Sequence, residues 1–453
     1  MLDRLFTEEN KSFARLLISL ALPIMLQNLI NSGLNMLDVF MIGQLGTLEI
    51  TAVGLANKVF FLFTLIGFGV NSGAAIYLAQ YWGRGDVDSI HKTMGIGFAF
   101  NLAASIVFCL GALCFPSQIL YIFSKDPAVI ALGVKYLHIV GPSYLFCAIS
   151  NTLSYSCRSV GHPALPMFIA LFSLCCNGVL NAVFIFGLLG CPAMGVEGAA
   201  LGTLISRALE LIVTVTAIKK KHWPIDAPIK KYLSFTHSDV KSFLHTAGFV
   251  ILNETFWSLG VSLCNSGYRF AGTDAQAAVE IAANVKDLFM VVSYGIGAAA
   301  AVIIGHRLGC GQKDEAVHYA KKLKKVTLCF GVLISILIVI TIPYIVRLFN
   351  VSDQVRLWAR YITYGLAAVF PLRCLGHLNI VGILRSGGDT RVCMLIDIFG
   401  VWCIGLPLSF LGTLVFHLPI YWVTFLVFQE ETIKSFISEH RVRQKKWLQD
   451  IRL

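Results

Sequence analysis

Gln27, Asn31, Asn35 and Asp38 interrupt a segment that is otherwise apolar. Steps of four, four and three residues place all four on one face of a helix. The corresponding face in the second half of the chain reads Glu254, Ser258, Ser262 and Asn265, so each half carries a polar stripe. Asn177 and Asn181 form a second pair, four residues apart and therefore neighbours on a helix surface. A carboxylate with two amides offers an all-oxygen Na⁺ site at Asp38, Asn177 and Asn181, or a polar pocket that holds a proton. The competing reading is a set of hydrogen bonds that only join helices.

Further along, Asp397, Arg373, His377 and Asp287 are a candidate network, in which Arg373 and Asp397 could equally neutralise each other. Gln27, Asn31, Asn35, Glu254, Ser258, Asp397 and Arg373 are the candidates for lining a substrate cavity. An ionisable group within a membrane span is a functional-site hypothesis by default, because insertion costs about 2.5–3.5 kcal/mol. Glu197, Arg207 and Glu210 stand near segment ends and read as interfacial.

The elements that must position these groups follow from composition. Of 453 residues, 57% are hydrophobic and 13% charged, and the mean hydropathy is +0.74. Soluble proteins average about 25% charged residues, so lipid must be the solvent for much of this chain. Twelve apolar segments approach the roughly 20 residues that a spanning helix needs. The last, Leu418 to Phe428 before Gln429, Glu430 and Glu431, is the weakest. The tail beyond Gln429 reads as a helix on the inner membrane surface or as a solvated segment. Twelve spans leave both ends on one side, and that side collects 26 of the 36 lysines and arginines. The positive-inside rule makes it the cytoplasm of a plasma (inner) membrane protein. The net charge of +11 therefore reads as cytoplasmic loops facing lipid, with no nucleic-acid partner. Thirteen cysteines without C-x-x-C or zinc spacing read as small buried apolar residues. The apolar run Leu16 to Ile30 lacks a small-residue cleavage site and is taken as retained.

The chain is also written twice. Gly83 and Gly85 recur as Gly309 and Gly311, and "CRSVGHP" (Cys157–Pro163) returns as "LRSGGDT" (Leu384–Thr390). Six helices are thus repeated by six, giving two pseudo-symmetric lobes: residues 1–218 and 240–453, with a cytoplasmic linker at 219–239. An even number of spans per repeat gives both halves the same orientation, with a shared cavity expected near the midplane and alternating access by rocking.

Three stretches carry a family resemblance: "LALPIMLQNLINSGLNMLDVFMIGQLG" (Leu20–Gly46), "GVEGAALGTLISR" (Gly195–Arg207) and "GILRSGGDTR" (Gly382–Arg391). With the duplicated G-x-G turn, they make the chain resemble the multidrug and toxic compound extrusion transporters over nearly its whole length. The resemblance implies export of small organic cations and drugs in exchange for Na⁺ or H⁺; a monomer with no resident cofactor is the accompanying expectation. It places the coupling cation at Asp38, Asn177, Asn181 and Thr203, and Glu254 matches a second-lobe carboxylate of one branch. A lipid-linked oligosaccharide flippase of related architecture is the alternative, and its cavity would carry several cationic residues. No H-E-x-x-H, G-x-S-x-G or P-loop motif points to an enzyme.

Overall fold

The computed structural model describes residues 8–349 and 351–453. Among these residues all regular structure is helical. The first six long helices are α1 (Glu8–Gly43), α2 (Thr47–Arg84), α3 (Val87–Cys114), α4 (Pro127–Val140 continuing as Ser143–Ser159), α5 (Ala164–Phe186) and α6 (Gly195–Lys221). The second six are α7 (His237–Tyr268), α8 (Thr273–Gly309), α9 (Lys313–Ile345), α10 (Asp353–His377), α11 (Thr390–Ile398, extended by π-helical turns to Val415) and α12 (Ile420–Arg443). Among the described residues ten helices are long and apolar enough to cross a membrane, and the two pieces of α4, bent by 53°, make an eleventh together. Pro142 causes that break, since it has no N–H to offer the helix ladder. The remaining helix, α12, carries Glu430, Glu431 and Lys434 within its length.

Local chemistry fixes the helix ends. Asp86 caps α3 by accepting from Ser89 N at 3.0 Å, and Ser352 caps α10 through Val355 N at 3.4 Å. The duplicated glycine turn has the same conformation in both halves: Gly85 has φ 73° and Gly311 φ 76°, a left-handed region that favours glycine. Large apolar side chains such as Phe40, Ile106, Val107, Phe168, Leu333 and Ile340 are exposed along the helices, as lipid-facing surfaces require.

Two compact units emerge, Leu22–Leu244 and residues 8–21 with His245–Arg452. In the first, Phe63 stacks on Tyr144 at 5.4 Å, amid Phe60, Phe108 and Leu137. In the second, Met290, Ile338, Leu366 and Phe370 form one cluster. The N-terminal part of α1 joins the second unit through Phe13, whose ring lies 5.6 Å from Tyr319.

The linker and tail differ from a solvated chain. Tyr232 in the linker donates to Ile225 O at 2.5 Å, and Lys231 pairs with Asp88 at 2.9 Å, which docks the linker on α3. The tail expectation is corrected: the residues after Gln429 continue α12 into the protein interior, where Glu430, Glu431 and Lys434 are buried. Beyond them Trp447 is 1% exposed and packs over Gly387, and Arg441 grips Asp389 with two hydrogen bonds at 2.6 and 3.2 Å. All thirteen thiols are free, but Cys114, Cys175, Cys310, Cys329 and Cys403 are exposed, not buried. Cys175, Cys329 and Cys403 lie on apolar helices, where an exposed face meets lipid and a thiol is tolerated.

Candidate functional site

Asp38 lies in the last third of α1, opposite the buried face of α5. Asn177 and Asn181 of α5 are fully buried. Asn181 Nδ2 donates to Asp38 Oδ1 at 2.6 Å and to Asn177 Oδ1 at 3.1 Å. Asn177 in turn donates to Thr203 Oγ1 at 3.4 Å and Ser206 Oγ at 3.5 Å on α6. This close approach of α6 to α5 depends on two glycines one turn apart. A Cβ at Gly198 would strike Phe184 O, and one at Gly202 would strike Asn181 Oδ1 while lying 3.2 Å from its backbone nitrogen. Asn181 Oδ1 itself is buried and has no hydrogen-bond partner among the described residues. An acceptor oxygen without a donor, beside a carboxylate, can serve a cation.

A cavity of about 490 Å³ opens beside this group, and all its lining residues belong to the Leu22–Leu244 unit. Gln27, Asn31, Asn35 and Asp38 all line it, together with Thr203. Asn177 and Asn181 stand behind Asp38 and are not part of its wall. Arg207 and Glu210 line it too, which corrects their reading as interfacial. Arg207 Nη1 lies 2.9 Å from Glu210 Oε2, which also accepts from Ser173 Oγ at 2.9 Å. Glu197, by contrast, pairs at 2.8 Å with the exposed Lys135. Phe60, Phe61, Tyr136 and Tyr144 supply the aromatic walls.

Glu254, Ser258, Asp397 and Arg373 do not line that cavity, because they belong to the other unit. There the pairing of Arg373 with Asp397 does not occur. Arg373 lies 3.4 Å from Glu431, while Asp397 accepts from Asn253 at 3.0 Å and lies 3.6 Å from Lys434. α12 supplies partners that a reading of its charges as a tail had removed from the interior. Asp287 pairs with its neighbour Lys286 at 3.2 Å, and His377 meets the edge of Tyr294 at 5.1 Å. Ser258 is partly buried, and its carbonyl accepts from Ser262. Glu254 forms an ion pair with Arg385 at 3.0 Å. In the first unit Arg158 Nε donates to Gln27 Oε1, also at 3.0 Å. Gln27 and Glu254 occupy equivalent positions of the repeat, as do Arg158 and Arg385. The repeat therefore conserves a bond between an arginine at the end of the fourth helix of each lobe and the polar stripe of the first.

No group of three or more His, Cys, Asp or Glu that could hold a metal ion occurs among the described residues. The polar groups instead converge on a water-accessible hollow with an amide-backed carboxylate at its edge. A family model matches this chain twice, at residues 23–183 and 247–411, and its description is MatE. The chain belongs to the MatE family. Its MatE relatives include a "Probable multidrug resistance protein NorM" of Thermotoga maritima, 27% identical and covering 91% of this chain and 88% of the relative. A second, of the same name, from Bradyrhizobium diazoefficiens is 28% identical over 88% and 86% of the two chains. Among solved structures, the Vibrio cholerae MATE transporter VcmN in its bent form superposes with a TM-score of 0.87. It is 17% identical and covers 97% of this chain and 99% of its own. A MOP superfamily transporter from Pyrococcus furiosus gives 0.85 at 17% identity over 96% of each chain. At such identities the likeness shows the fold, which is the MatE arrangement of twelve helices in two lobes of an integral membrane protein.

Sequence reasoning missed Arg207, Glu210, Glu430, Glu431 and Lys434 as interior groups. A signal was available for two of them. Arg207 and Lys434 stand at equivalent positions of the repeat, so an interior place for one argues for an interior place for the other.

Proposed function

We propose that this MatE protein is a secondary active exporter that antiports small organic cations against Na⁺ or H⁺ by alternating access. It acts as a monomer in the plasma (inner) membrane with both termini in the cytoplasm. The observation that carries the reading is Asp38, at the edge of a first-lobe cavity, backed by Asn181 with an unpartnered amide oxygen. Asp38 and Asn181 Oδ1 hold the coupling cation, Asn177 fixes the orientation of Asn181, and Thr203 on α6 lines the same cavity and accepts from Asn177. No resident cofactor takes part.

Cargo polarity follows from the same walls. Among the described lining residues Arg207 is the one arginine or lysine, and Glu210 neutralises it, so Asp38 is the charge on that lining without an ionic partner, while Arg158 stands behind Gln27. Phe60, Phe61 and Tyr136 offer faces to a flat cation. The relatives named as multidrug resistance proteins support such a cargo. A flippase for a pyrophosphate-linked oligosaccharide would need unpaired bases in that cavity. In proteoliposomes, ethidium should be expelled when either a Na⁺ gradient or a pH gradient is imposed. Export driven by neither gradient removes the antiport reading. Cysteines placed at Lys230 and Lys446 should label from the cytoplasmic side alone, and labelling from outside reverses the orientation.

A further inference from the structure

Lys434 of α12 is 3% exposed, and its ammonium lies amid carboxylates from two helices. Nζ is 3.0 Å from Glu431 Oε1, 3.5 Å from Glu430 Oε1 and 3.6 Å from Asp397 Oδ1. Two of the three acids are also held by other groups. Asp397 accepts from Asn253 at 3.0 Å, and Glu431 lies 3.4 Å from Arg373. α11 makes room for the group through two glycines in its π-helical stretch Phe399–Gly405. A Cβ at Gly400 would come within 2.7 Å of Lys434 Cγ, and one at Gly405 would strike Glu430 Oε2. Irregular helix turns of this kind are frequent at functional sites. Here they clear a passage for one lysine stem and one carboxylate.

Both lobes place a paired base at this equivalent position, but they surround it with different numbers of acids. Arg207, the first-lobe counterpart of Lys434, is bonded to Glu210, and Asp38 has the amide of Asn181 as its hydrogen-bond partner. We infer that Lys434 is the second lobe's own cation: its ammonium fills a carboxylate seat of the kind that Asp38 leaves open to a solute cation. A transport cycle then loads a cation from solution in the first lobe alone. This rests on the coupling role proposed for Asp38. Lys434 and Arg373 leave one of the three negative charges uncompensated. A Na⁺ bound there would need the space that Nζ occupies.

The test is chemical rescue on the full-length purified protein. Lys434→Ala should melt below wild type, and methylammonium chloride should raise its midpoint by about 2 °C or more, while choline chloride should not. Wild type and Lys434→Arg, with the seat filled, should not respond to methylammonium. Two results overturn the inference: no rescue of Lys434→Ala, or an equal gain in wild type that Glu430→Gln removes. Should Lys434→Ala not fold, Asp38→Asn with Lys434 intact decides the matter. It should bind no radioactive sodium above background, and binding that Glu430→Gln or Asp397→Asn abolishes refutes the idea. Failure of the coupling role is seen separately, as normal gradient-driven export by Asp38→Asn, and leaves the melting result standing.

Discussion

Asn181 donates to Asp38 across 2.6 Å although 143 residues separate them. The bond joins α1 to α5 at the edge of the first-lobe cavity and leaves the amide oxygen of Asn181 without a donor among the described residues. A structural link between helices needs only the bond. The spare oxygen is the ground on which we propose a use for the pair beyond packing.

Asp38→Asn keeps the shape of the side chain and removes its charge. One pH unit, about 1.4 kcal/mol, or 100 mV on one charge, about 2.3 kcal/mol, then no longer acts at this site. Gradient-driven ethidium efflux should fall to background, while equilibrium binding of ethidium to purified protein weakens but remains measurable. Glu254→Gln should be milder. Normal efflux by Asp38→Asn with a dead Glu254→Gln would move the coupling site to the second lobe.

Gly202→Val tests the route by which α6 reaches α5. Its side chain would strike Asn181 Oδ1, so the helices must separate or Asn181 must turn away from Asp38. Overpacking of this kind costs about 1–3 kcal/mol. Thermal melting should show that loss together with efflux as poor as that of Asp38→Asn. Efflux at the wild-type rate would show that the Asn181–Asp38 contact is dispensable.

The repeated arginine bonds should differ in strength, because one partner is charged and the other is not. Arg385→Gln leaves Glu254, 13% exposed, as an unpaired buried charge, and should cost about 3–5 kcal/mol. Arg158→Gln breaks a bond to the neutral Gln27 and should cost about 1–2 kcal/mol. In a double-mutant cycle read by melting, Glu254→Gln should recover much of the loss in Arg385→Gln. Equal costs for the two arginines would contradict this account of the repeat.

His162 stacks on Trp223 of the linker at 4.1 Å with the rings 10° from parallel. Burial, and then the nearby Lys221, hold the His162 imidazole below its ordinary range. The unfolded chain therefore takes up the proton first as pH falls. The contact is at full strength above about pH 6.5 and weakens as pH drops below it. Trp223 emission should change over that window in wild type and stay flat in His162→Ala. An unchanged titration in the variant would detach the effect from this stack.

Much of this protein is determined by its sequence alone. Long apolar runs with few charges cannot be soluble, so the number and length of the helices follow from hydrophobicity and the thickness of a membrane. The internal repeat sets two lobes. Steps of three and four residues put Gln27, Asn31, Asn35 and Asp38 on one face, and the structure shows all four at one cavity. Periodicity, however, fixes a face and a depth without naming the helix that will cover it. Tertiary structure decided that Asn181 meets Asp38, that Arg207 turns to Glu210, and that Arg373 meets Glu431 in preference to Asp397. The largest gap lay at α12, where Glu430, Glu431 and Lys434 read as part of a membrane-surface helix or a solvated tail. Charges in a row report their cost of burial, but not the partners that offset it. Those partners, Asp397 and Arg373, lie on α11 and α10, and only the packing of three helices brings them within 4 Å.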